Sequence, residues 1–403
     1  MNTDEKRSRG NKTYALDLGR SPFAGILESG MHTFVLLIAI RYFQPGPMFK
    51  AILPACISVG LLISPLVLSL TSKAKIKATH WASLFWASSG LLMFSSSYAN
   101  TFSVFLLCIA PSLLCYALVP TFMIFAYSEN YTAKQRGQRI ATFFVISSLA
   151  AGGFAFGGGY LLDANIDNFR WILRMIGLSA LASALLAFYM PSPVVEAKHS
   201  SSGFSNLSLS WKDRLFGWIL LSWMCIGFAN LMTIPLRVEY MAQPEYGVAA
   251  TNEQITFVIV LIPAICRILS TRVWGFLFDS MNLLTLRTVL NALLIISIFI
   301  FFRYQDLTML IIAMAIHGVA HGGGNVAWSL WVTKIAPPDK TGAYMSVHTA
   351  FTGMRGFVSP FVGFLLITYV GPVATSMLAL ILAALSIVIQ VPLIQHPRLK
   401  VGK

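Results

Sequence analysis

Long apolar segments recur along almost the whole chain, and they constrain its fold more than any other feature. The 403 residues are 56% hydrophobic and 11% charged, whereas soluble domains carry about 25% charged residues. A helix needs about 20 apolar residues to cross the hydrocarbon core of a bilayer. The segments reach that length and lack the alternating pattern of a membrane β-barrel. The sequence therefore predicts an all-α protein that crosses the membrane many times.

Twelve apolar runs are long enough to form membrane-spanning helices. We place them at residues 21–43, 48–70, 79–97, 101–126, 139–162, 171–190, 215–238, 254–274, 284–303, 307–332, 342–368 and 371–393. The longest polar stretch between runs is rich in Ser and opens with two prolines, as linkers do. The predicted organisation is an N-terminal tail (1–20), a six-helix bundle (21–190), this linker (191–213), a second six-helix bundle (214–393) and a C-terminal tail (394–403).

Basic residues are concentrated in alternate loops, which predicts the orientation of the chain in the membrane. They precede the first run, follow the second, fourth, sixth and tenth, and end the sequence, whereas the intervening loops are short or acidic. Loops rich in Lys and Arg stay on the cytoplasmic side. We therefore expect an inner (cytoplasmic) membrane protein with both termini in the cytoplasm. This bias explains the net charge of +14, so the expected partner is the lipid bilayer and not nucleic acid.

Signatures of enzymes, cofactors and metal sites are absent from the sequence. It contains no GxxxxGK[ST] phosphate-binding loop and no GxSxG nucleophile turn. His317 and His321 have the spacing of zinc ligands, but the Glu of the HExxH motif is missing. The five cysteines lie inside apolar runs without disulfide or metal spacing. We expect no enzymatic activity, no cofactor and no bound metal.

A weak internal repeat relates the two halves of the chain. The loop and run around 134–162 are similar to those around 338–368, and Gly342 lies 205 positions after Gly137. At the same offset Gly158 corresponds to Gly363. Because the offset is about half the chain, the repeat supports two parallel six-helix units.

The eighth run continues into Gly275-Phe-Leu-Phe-Asp279, which resembles the Gly-x-Leu-x-Asp loop signature of major facilitator superfamily transporters. The basic-Gly loops before runs five and eleven and the layout of two times six helices are also similar to that family. The resemblance implies two pseudo-symmetric six-helix bundles that alternate access to a central site, with a conformational role for Gly275 and Asp279. The first half departs from the pattern, since Leu70 and Ala74 stand where the repeat places the Gly and the Asp.

Glu28 and His32 are ionisable residues inside the first predicted span. A charge inside a bilayer costs several kcal/mol unless it is paired or hydrated, so such residues are candidates for function. Glu28 is the only acidic residue well inside a predicted span, and His32 follows at i+4 on the same helical face. Imidazole titrates near neutral pH, which makes the two side chains candidates for proton binding. A static polar contact between helices is the structural alternative.

His317, His321 and Asn325 form a polar stripe on the tenth predicted span, because they repeat at i+4. In the family that the sequence resembles, helices 1, 4, 7 and 10 line the central cavity, which implies that this stripe faces the substrate. Counting about 1.5 Å per residue places His321 at the depth of His32. The alternative is hydrogen bonding within the bundle. The glycines at 322–324 predict either close helix packing or a flexible point.

Arg355, Arg267 and His348 are further candidates inside predicted spans. His348 lies two turns before Arg355 on the eleventh run, and Arg267 lies deep in the eighth. The deep arginines outnumber the deep acids, and guanidinium groups suit carboxylate or phosphate. We therefore predict a negatively charged substrate. Arg237 and Glu239, near the end of the seventh span, are interpreted as interfacial residues.

The sequence favours a secondary active transporter that moves a small organic, negatively charged solute with protons as the coupling ion. Glu28 and the histidines would carry the proton, and the protein is expected to be a monomer. A transition-metal carrier of the same fold is the second hypothesis, because imidazole suits such ions. The third is a receptor or assembly factor of the same fold that has lost transport.

Overall fold

The computed structural model describes residues 3–195, 206–337 and 340–399. Within these ranges the regular structure is helical, apart from one isolated β-bridge between Lys77 and Val194. Part of the predicted linker, residues 196–205, and the end of the predicted C-terminal tail, residues 400–403, lie outside the described residues.

Six long helices occupy the N-terminal part. The first, α1, covers residues 3–43 and includes two π-helical stretches, Gly30–Phe34 and Ala39–Phe43. The others are α2 (Pro47–Ser72), α3 (Ala78–Ser96), α4 (Phe102–Asn130), α5 (Ala133–Ala164) and α6 (Phe169–Phe188). Helix α1 begins at Thr3, well before the predicted span start at residue 21. It is longer than predicted because Asp17 and Arg20, which precede the predicted span, are paired inside the protein, as described below.

Five long helices occupy the C-terminal part. They are α7 (Arg214–Ala242), α8 (Asn252–Ser280), α9 (Leu283–Arg303), α10 (Leu307–Leu330) and α11 (Thr341–Gln390). Helix α8 contains a π-helical stretch at Phe257–Leu261. Helix α11 is interrupted at Gly371, whose backbone has φ 82° and ψ 170°. Glycine adopts this conformation readily because it has no Cβ, so α11 consists of two helices that meet at a kink.

Acidic and amide side chains fix the start of several helices. The carboxylate of Asp213 accepts a hydrogen bond from the Phe216 amide at the start of α7. The Asn282 side chain accepts from the Leu284 amide at the start of α9. Such caps satisfy amides that have no partner within the helix. They separate one long apolar helix from the next where the loops are only a few residues long.

Ten helical segments in the described ranges are long and apolar enough to cross a membrane. Helix α11 is counted once among them despite its kink, and α3 is not among them. Segments of this length and composition indicate an integral membrane protein, as the sequence predicted.

The chain divides into two compact units. Unit 1 consists of Met1–Pro45 and Ile52–Ser200, and unit 2 of Gly46–Ala51 and Ser201–Lys403. In unit 1, α3 packs against α4 and α6, while α1 packs against α5 and α6. In unit 2, α11 packs against α7 and α9, while α10 packs against α8 and α9. Each unit therefore has its own helical core.

Candidate substrate-binding site

A pocket of about 550 Å³ lies within unit 2. It is lined by residues of α7, α9, α10 and the first part of α11. Two arginines, Arg287 and Arg355, are among the lining residues, together with His321, Asn230 and Asn325. None of the described residues that line it is acidic. The pocket is therefore a polar, positively charged recess between otherwise apolar helices.

Arg355 reaches the pocket from the middle of the first part of α11. One of its Nη1 hydrogens is donated to the backbone carbonyl of Trp223 on α7. Its Nε is buried and has no hydrogen-bond acceptor among the described residues. Gly227 makes room for the group, since a Cβ at that position would overlap the Arg355 guanidinium. Position 355 was predicted to face the substrate, and the structure places it in the pocket wall.

Arg287 is the residue of this pocket that the sequence analysis missed. It is 5% exposed, and its Cζ lies 3.6 Å from the centre of the Trp223 ring. No described residue accepts a hydrogen bond from Arg287 or forms an ion pair with it. Arg287 is in the second turn of α9, where an arginine is usually interpreted as an interfacial residue. Only the tertiary structure shows that it points inward.

The polar stripe on α10 is divided by the structure. His321 and Asn325 line the pocket, whereas His317 is buried with its ring stacked on His321 at a centroid distance of 5.7 Å. The Nδ1 of His317 and the Oδ1 of Asn230 are buried without a hydrogen-bond partner among the described residues. Two of the three predicted stripe residues therefore contribute to the pocket.

His348 packs behind the pocket in an aromatic cage. It is 0% exposed, and its ring centroid lies 5.3 Å from Trp223, 5.5 Å from Trp328 and 5.2 Å from Trp331. Neither ring nitrogen has a hydrogen-bond partner among the described residues. Trp223 and Trp328 line the pocket, so His348 supports the pocket wall rather than forming part of it.

Arg267 and Arg237 form a second basic region in unit 2. Arg267 is half-buried on α8 and is not among the residues that line the pocket. Arg237 is 1% exposed, its Nη1 contacts the Met314 sulfur at 3.5 Å, and its Cζ lies 5.6 Å from the centre of the Phe301 ring. Its Nε and Nη2 have no acceptor in the described part of the chain. The interpretation of Arg237 as an interfacial residue is wrong, because α7 turns it toward neighbouring helices instead of the membrane surface.

Glu239 is also buried, contrary to its interpretation as an interfacial residue. It is 1% exposed and accepts a hydrogen bond of 2.5 Å from the Lys50 ammonium group. Lys50 belongs to the short segment Gly46–Ala51, which is part of unit 2. Both groups are buried, where an isolated charge would be very costly. This cost explains why Glu239 and Lys50 are paired with each other.

The glycines of α10 serve mainly close packing. A Cβ at position 322 would lie 2.7 Å from the Ser270 hydroxyl, and one at 323 would lie 2.5 Å from the Leu290 side chain. Both distances are too short, so a larger residue would require the neighbouring side chains to move. Gly324 has open space around it and borders the pocket. The packing explanation therefore fits positions 322 and 323.

Gly275 and Asp279 lie in the last turns of α8, which ends at Ser280. The prediction that they are loop residues is therefore wrong in its secondary structure, because the helix continues past the apolar run. Asp279 is exposed, and no described residue forms an ion pair with it. Their conformational role stays a prediction.

Unit 1 holds Glu28 and His32. Glu28 is half-buried near the end of the regular part of α1, and His32 is exposed inside the following π-helical stretch. The His32 ring meets the Tyr116 ring edge-on at 6.2 Å, and Tyr116 is close enough to Glu28 to interact with its charge. The π-helical stretch begins between the two residues, so their spacing of four is no regular α-helical turn. Such stretches often occur at functional sites.

A buried charged cluster in unit 1 was not foreseen. Asp17 and Arg20 are 2% and 4% exposed, and their side chains are joined at 2.7 Å. The Tyr127 hydroxyl donates to Asp17 at 2.9 Å and accepts from Arg20 at 3.0 Å. The Arg20 guanidinium also lies between the rings of Trp86 and Phe143, at 4.7 and 4.5 Å. Asp17 lies before the predicted first span, so the sequence did not mark it as a buried acid, although α1 begins earlier and buries it.

Comparison with known proteins agrees with this architecture. Residues 249–401 match the sequence profile of the Major Facilitator Superfamily. The nucleoside transporter NupG shares 13% identity, with 94% of this chain and 97% of NupG covered at a TM-score of 0.71. The fold is that of a major facilitator superfamily transporter.

Further solved structures support the same fold. A D-xylose-proton symporter has 13% identity, with 98% of this chain and 100% of that chain covered at a TM-score of 0.71. A bacterial homolog of the human lysosomal transporter Spinster has 14% identity, with coverages of 94% and 96% and a TM-score of 0.69. A search of curated protein sequences finds no match. The matched profile and these solved structures are those of transporters.

A metal-binding arrangement is not found in the described part of this chain. No three His, Cys, Asp or Glu residues there lie close enough together to hold a metal ion. His317 and His321 stack on each other, and Arg237 and Arg267 lie near enough to His317 to interact with its charge. A cation would be repelled there. The transition-metal hypothesis therefore gains no support from the side-chain geometry.

Proposed function

We propose that the protein is a secondary active transporter that carries a small organic anion by alternating access. One observation carries this proposal: Arg287 and Arg355 line one pocket in which no described lining residue is acidic. A guanidinium removed from water needs a partner, and its planar fork of donors suits carboxylate or phosphate oxygens. A bound anion would supply the partner that the protein does not.

We further propose that transport is coupled to protons, with Glu28, His32 and the α10 histidines as the groups that exchange them. The half-buried Glu28, its neighbour Tyr116 and the adjacent π-helical stretch support a functional role for this part of α1. His321 adds a titratable group to the pocket lining. One solved structure of the same fold is named a D-xylose-proton symporter, which is a proton-coupled transporter.

The membrane topology follows from the same proposal. The ten candidate spans become twelve if α3 also crosses the membrane and the two parts of α11 cross separately at the Gly371 kink. Two six-helix bundles, cytoplasmic termini and an inner-membrane location would then agree with the loop charges. We propose a monomer, because each unit buries its own core.

Flux measurements in proteoliposomes test this function. Purified protein is reconstituted, and uptake of a panel of anionic, neutral and cationic metabolites is measured with and without an imposed pH gradient. We expect the protein to take up an anion, and we expect the pH gradient to accelerate this uptake. In Glu28→Gln the uptake should no longer depend on the pH gradient. Exposed Arg303, changed to Gln, is the matched control and should leave flux intact. A neutral substrate, or no flux across the panel, would contradict the proposal.

A further inference from the structure

We infer that the unit 2 pocket binds a compact group with two negative charges, of the phosphate monoester class. The inference rests on the proposed anion transport and narrows its substrate class. It begins with charge balance, since the described lining contains two guanidinium groups and no carboxylate. A single negative charge would leave one of the two guanidinium groups uncompensated, which is costly for a group as buried as Arg287, at 5% exposed.

The two guanidinium groups are brought together by one residue. Arg287 lies over the ring of Trp223, with 3.6 Å between its Cζ and the ring centre. Arg355 donates to the backbone carbonyl of the same tryptophan. Both guanidinium groups therefore border the pocket beside Trp223, close enough for their charges to interact. That geometry favours one compact anionic group over two carboxylates at the ends of a chain.

The donors still available fit the oxygens of a phosphoryl group. Arg287 has no hydrogen-bond acceptor among the described residues although it is 5% exposed. Arg355 lines the same pocket, and only its Nη1 is donated to a described residue, so its Nη2 is available. Guanidinium groups donate in parallel pairs to phosphate oxygens. A phosphoryl group has three terminal oxygens, enough to accept from both arginines at once.

The other residues that line the pocket indicate the chemistry of the organic part of the ligand. Ile226, Leu294 and Trp328 supply apolar surface. The Asn230 amide oxygen is buried without a partner among the described residues, and Asn325 also borders the pocket. Amide groups beside an apolar wall suit a small carbon skeleton that carries hydroxyl groups.

Binding of paired probes to the full-length protein in detergent tests the charge requirement. Methyl phosphate and methyl sulfate have similar shapes, but only the phosphate gains a second negative charge as pH rises through about 6. We expect the affinity for methyl phosphate, measured by calorimetry, to rise about tenfold from pH 5 to pH 7.5. Methyl sulfate reports any change caused by protein groups such as His321, and it should bind weakly at both pH values.

Variants assign this binding to the pocket. Arg287→Gln is expected to lower the affinity for methyl phosphate at least about 30-fold and to abolish the pH dependence. Arg287→Lys keeps a charge but loses the fork, so about tenfold loss is expected, and it serves if the Gln variant fails to fold. Arg303→Gln, on the same helix, should bind like the wild type.

The outcomes separate the inference from the proposed function. Equal binding of methyl sulfate and methyl phosphate at pH 7.5, or binding of succinate alone, would overturn the dianion while leaving anion transport intact. Binding of none of these probes would overturn it as well. Binding and flux of neutral solutes only, unaffected by Arg287→Gln, would overturn both.

Discussion

The two units each bury arginines, but they neutralise them differently. In unit 1, Arg20 is held by Asp17, by the Tyr127 hydroxyl and by two aromatic rings. In unit 2, Arg287 is as deeply buried, yet it has a tryptophan ring beside it and no acid or acceptor among the described residues. The same side chain is therefore satisfied within the fold in one unit and left open toward a pocket in the other.

This difference separates structural charge from functional charge. A buried charge that is paired with an opposite charge has its charge compensated within the protein. Removing one partner therefore mainly lowers the stability of the fold. An unpaired charge that borders a pocket costs stability in the free protein and favours a ligand of opposite charge. We therefore expect substitutions in the unit 1 cluster to lower the stability of the protein. Substitutions in the unit 2 pocket should instead weaken ligand binding.

The largest expected effect is on the stability of unit 1. Arg20→Gln leaves the Asp17 carboxylate buried without its partner, which typically costs about 3–5 kcal/mol. We expect a large drop in the thermal unfolding temperature and poor yield of folded protein. The double change of Asp17→Asn with Arg20→Gln should recover much of the loss, because no charge is then left buried.

The partly exposed pair of Arg9 and Glu129 provides the control for that experiment. The two side chains lie 3.1 Å apart and are 27% and 36% exposed. Exposed pairs contribute about 0–1 kcal/mol, so Arg9→Gln should hardly change the unfolding temperature. If Arg20→Gln were as mild as Arg9→Gln, the cluster around Arg20 would not be structural.

The corresponding change in unit 2 should have the opposite readout. Arg287→Gln removes a buried charge that has no protein partner, so stability without ligand should be unchanged or higher. Binding of the anion should fall by about 2–5 kcal/mol, as for other buried charge pairs. Calorimetry and thermal unfolding of the same sample measure both quantities. Destabilisation as large as that of Arg20→Gln would end the contrast between the units.

A smaller effect is expected from filling the space beside Arg355. Gly227→Ala puts a methyl group where the guanidinium now lies. Overpacking of this kind typically costs about 1–3 kcal/mol, and here it should appear as weaker anion binding because Arg355 must move. Gly157→Ala is the control, since no atom lies within 4 Å of a Cβ at that position. Unchanged binding in Gly227→Ala would show that the position of Arg355 is unimportant.

The smallest effect concerns a paired arginine that unit 2 also contains. Arg398 and Tyr344 donate to Asp213, at 3.0 Å each. Burial raises the pKa of Asp213, but the hydrogen bonds from the Phe216 amide, Arg398 and Tyr344 outweigh it and hold the pKa below its ordinary value. This carboxylate therefore stabilises the fold above its unfolded pKa of about 3.9, and the stabilisation is lost as pH falls through the folded pKa.

Asp213→Asn should remove this contribution while keeping a side chain that caps the helix. Because the pair is partly exposed, we expect a loss below about 1 kcal/mol at pH 7. The difference from wild type should shrink below about pH 4. Thermal unfolding at both pH values measures it, and an equal difference at both would contradict the charge-based explanation.

Much of the fold could be predicted from the sequence, because the bilayer demands long apolar helices and loop charges mark their ends. The start of α1 could not. Asp17 and Arg20 looked like tail residues, since their pairing with Tyr127 depends on how α1 and α4 pack. For the same reason Glu239 and Arg237 were assigned to the membrane interface.

The candidate site was partly predictable. Arg355, His321 and Asn325 were chosen as costly polar residues inside spans, and all three border the pocket. The sequence analysis missed Arg287 because this residue lies close to the start of its helix, where an arginine is expected at the membrane interface. His348 was chosen as a candidate for binding, but the structure encloses it in a cage of tryptophans from two distant segments of sequence. Spacing along one helix carries no information about such contacts.

An experimental structure with selenate most directly tests whether the arginines of the unit 2 pocket are the ones that bind an anion. Selenate is a tetrahedral dianion, and its selenium can be located by anomalous scattering. The account predicts a peak within hydrogen-bond distance of both Arg287 and Arg355, and none beside Arg20. A peak at Arg20, or an empty Arg287 pocket at a selenate concentration that stabilises the protein, would contradict it.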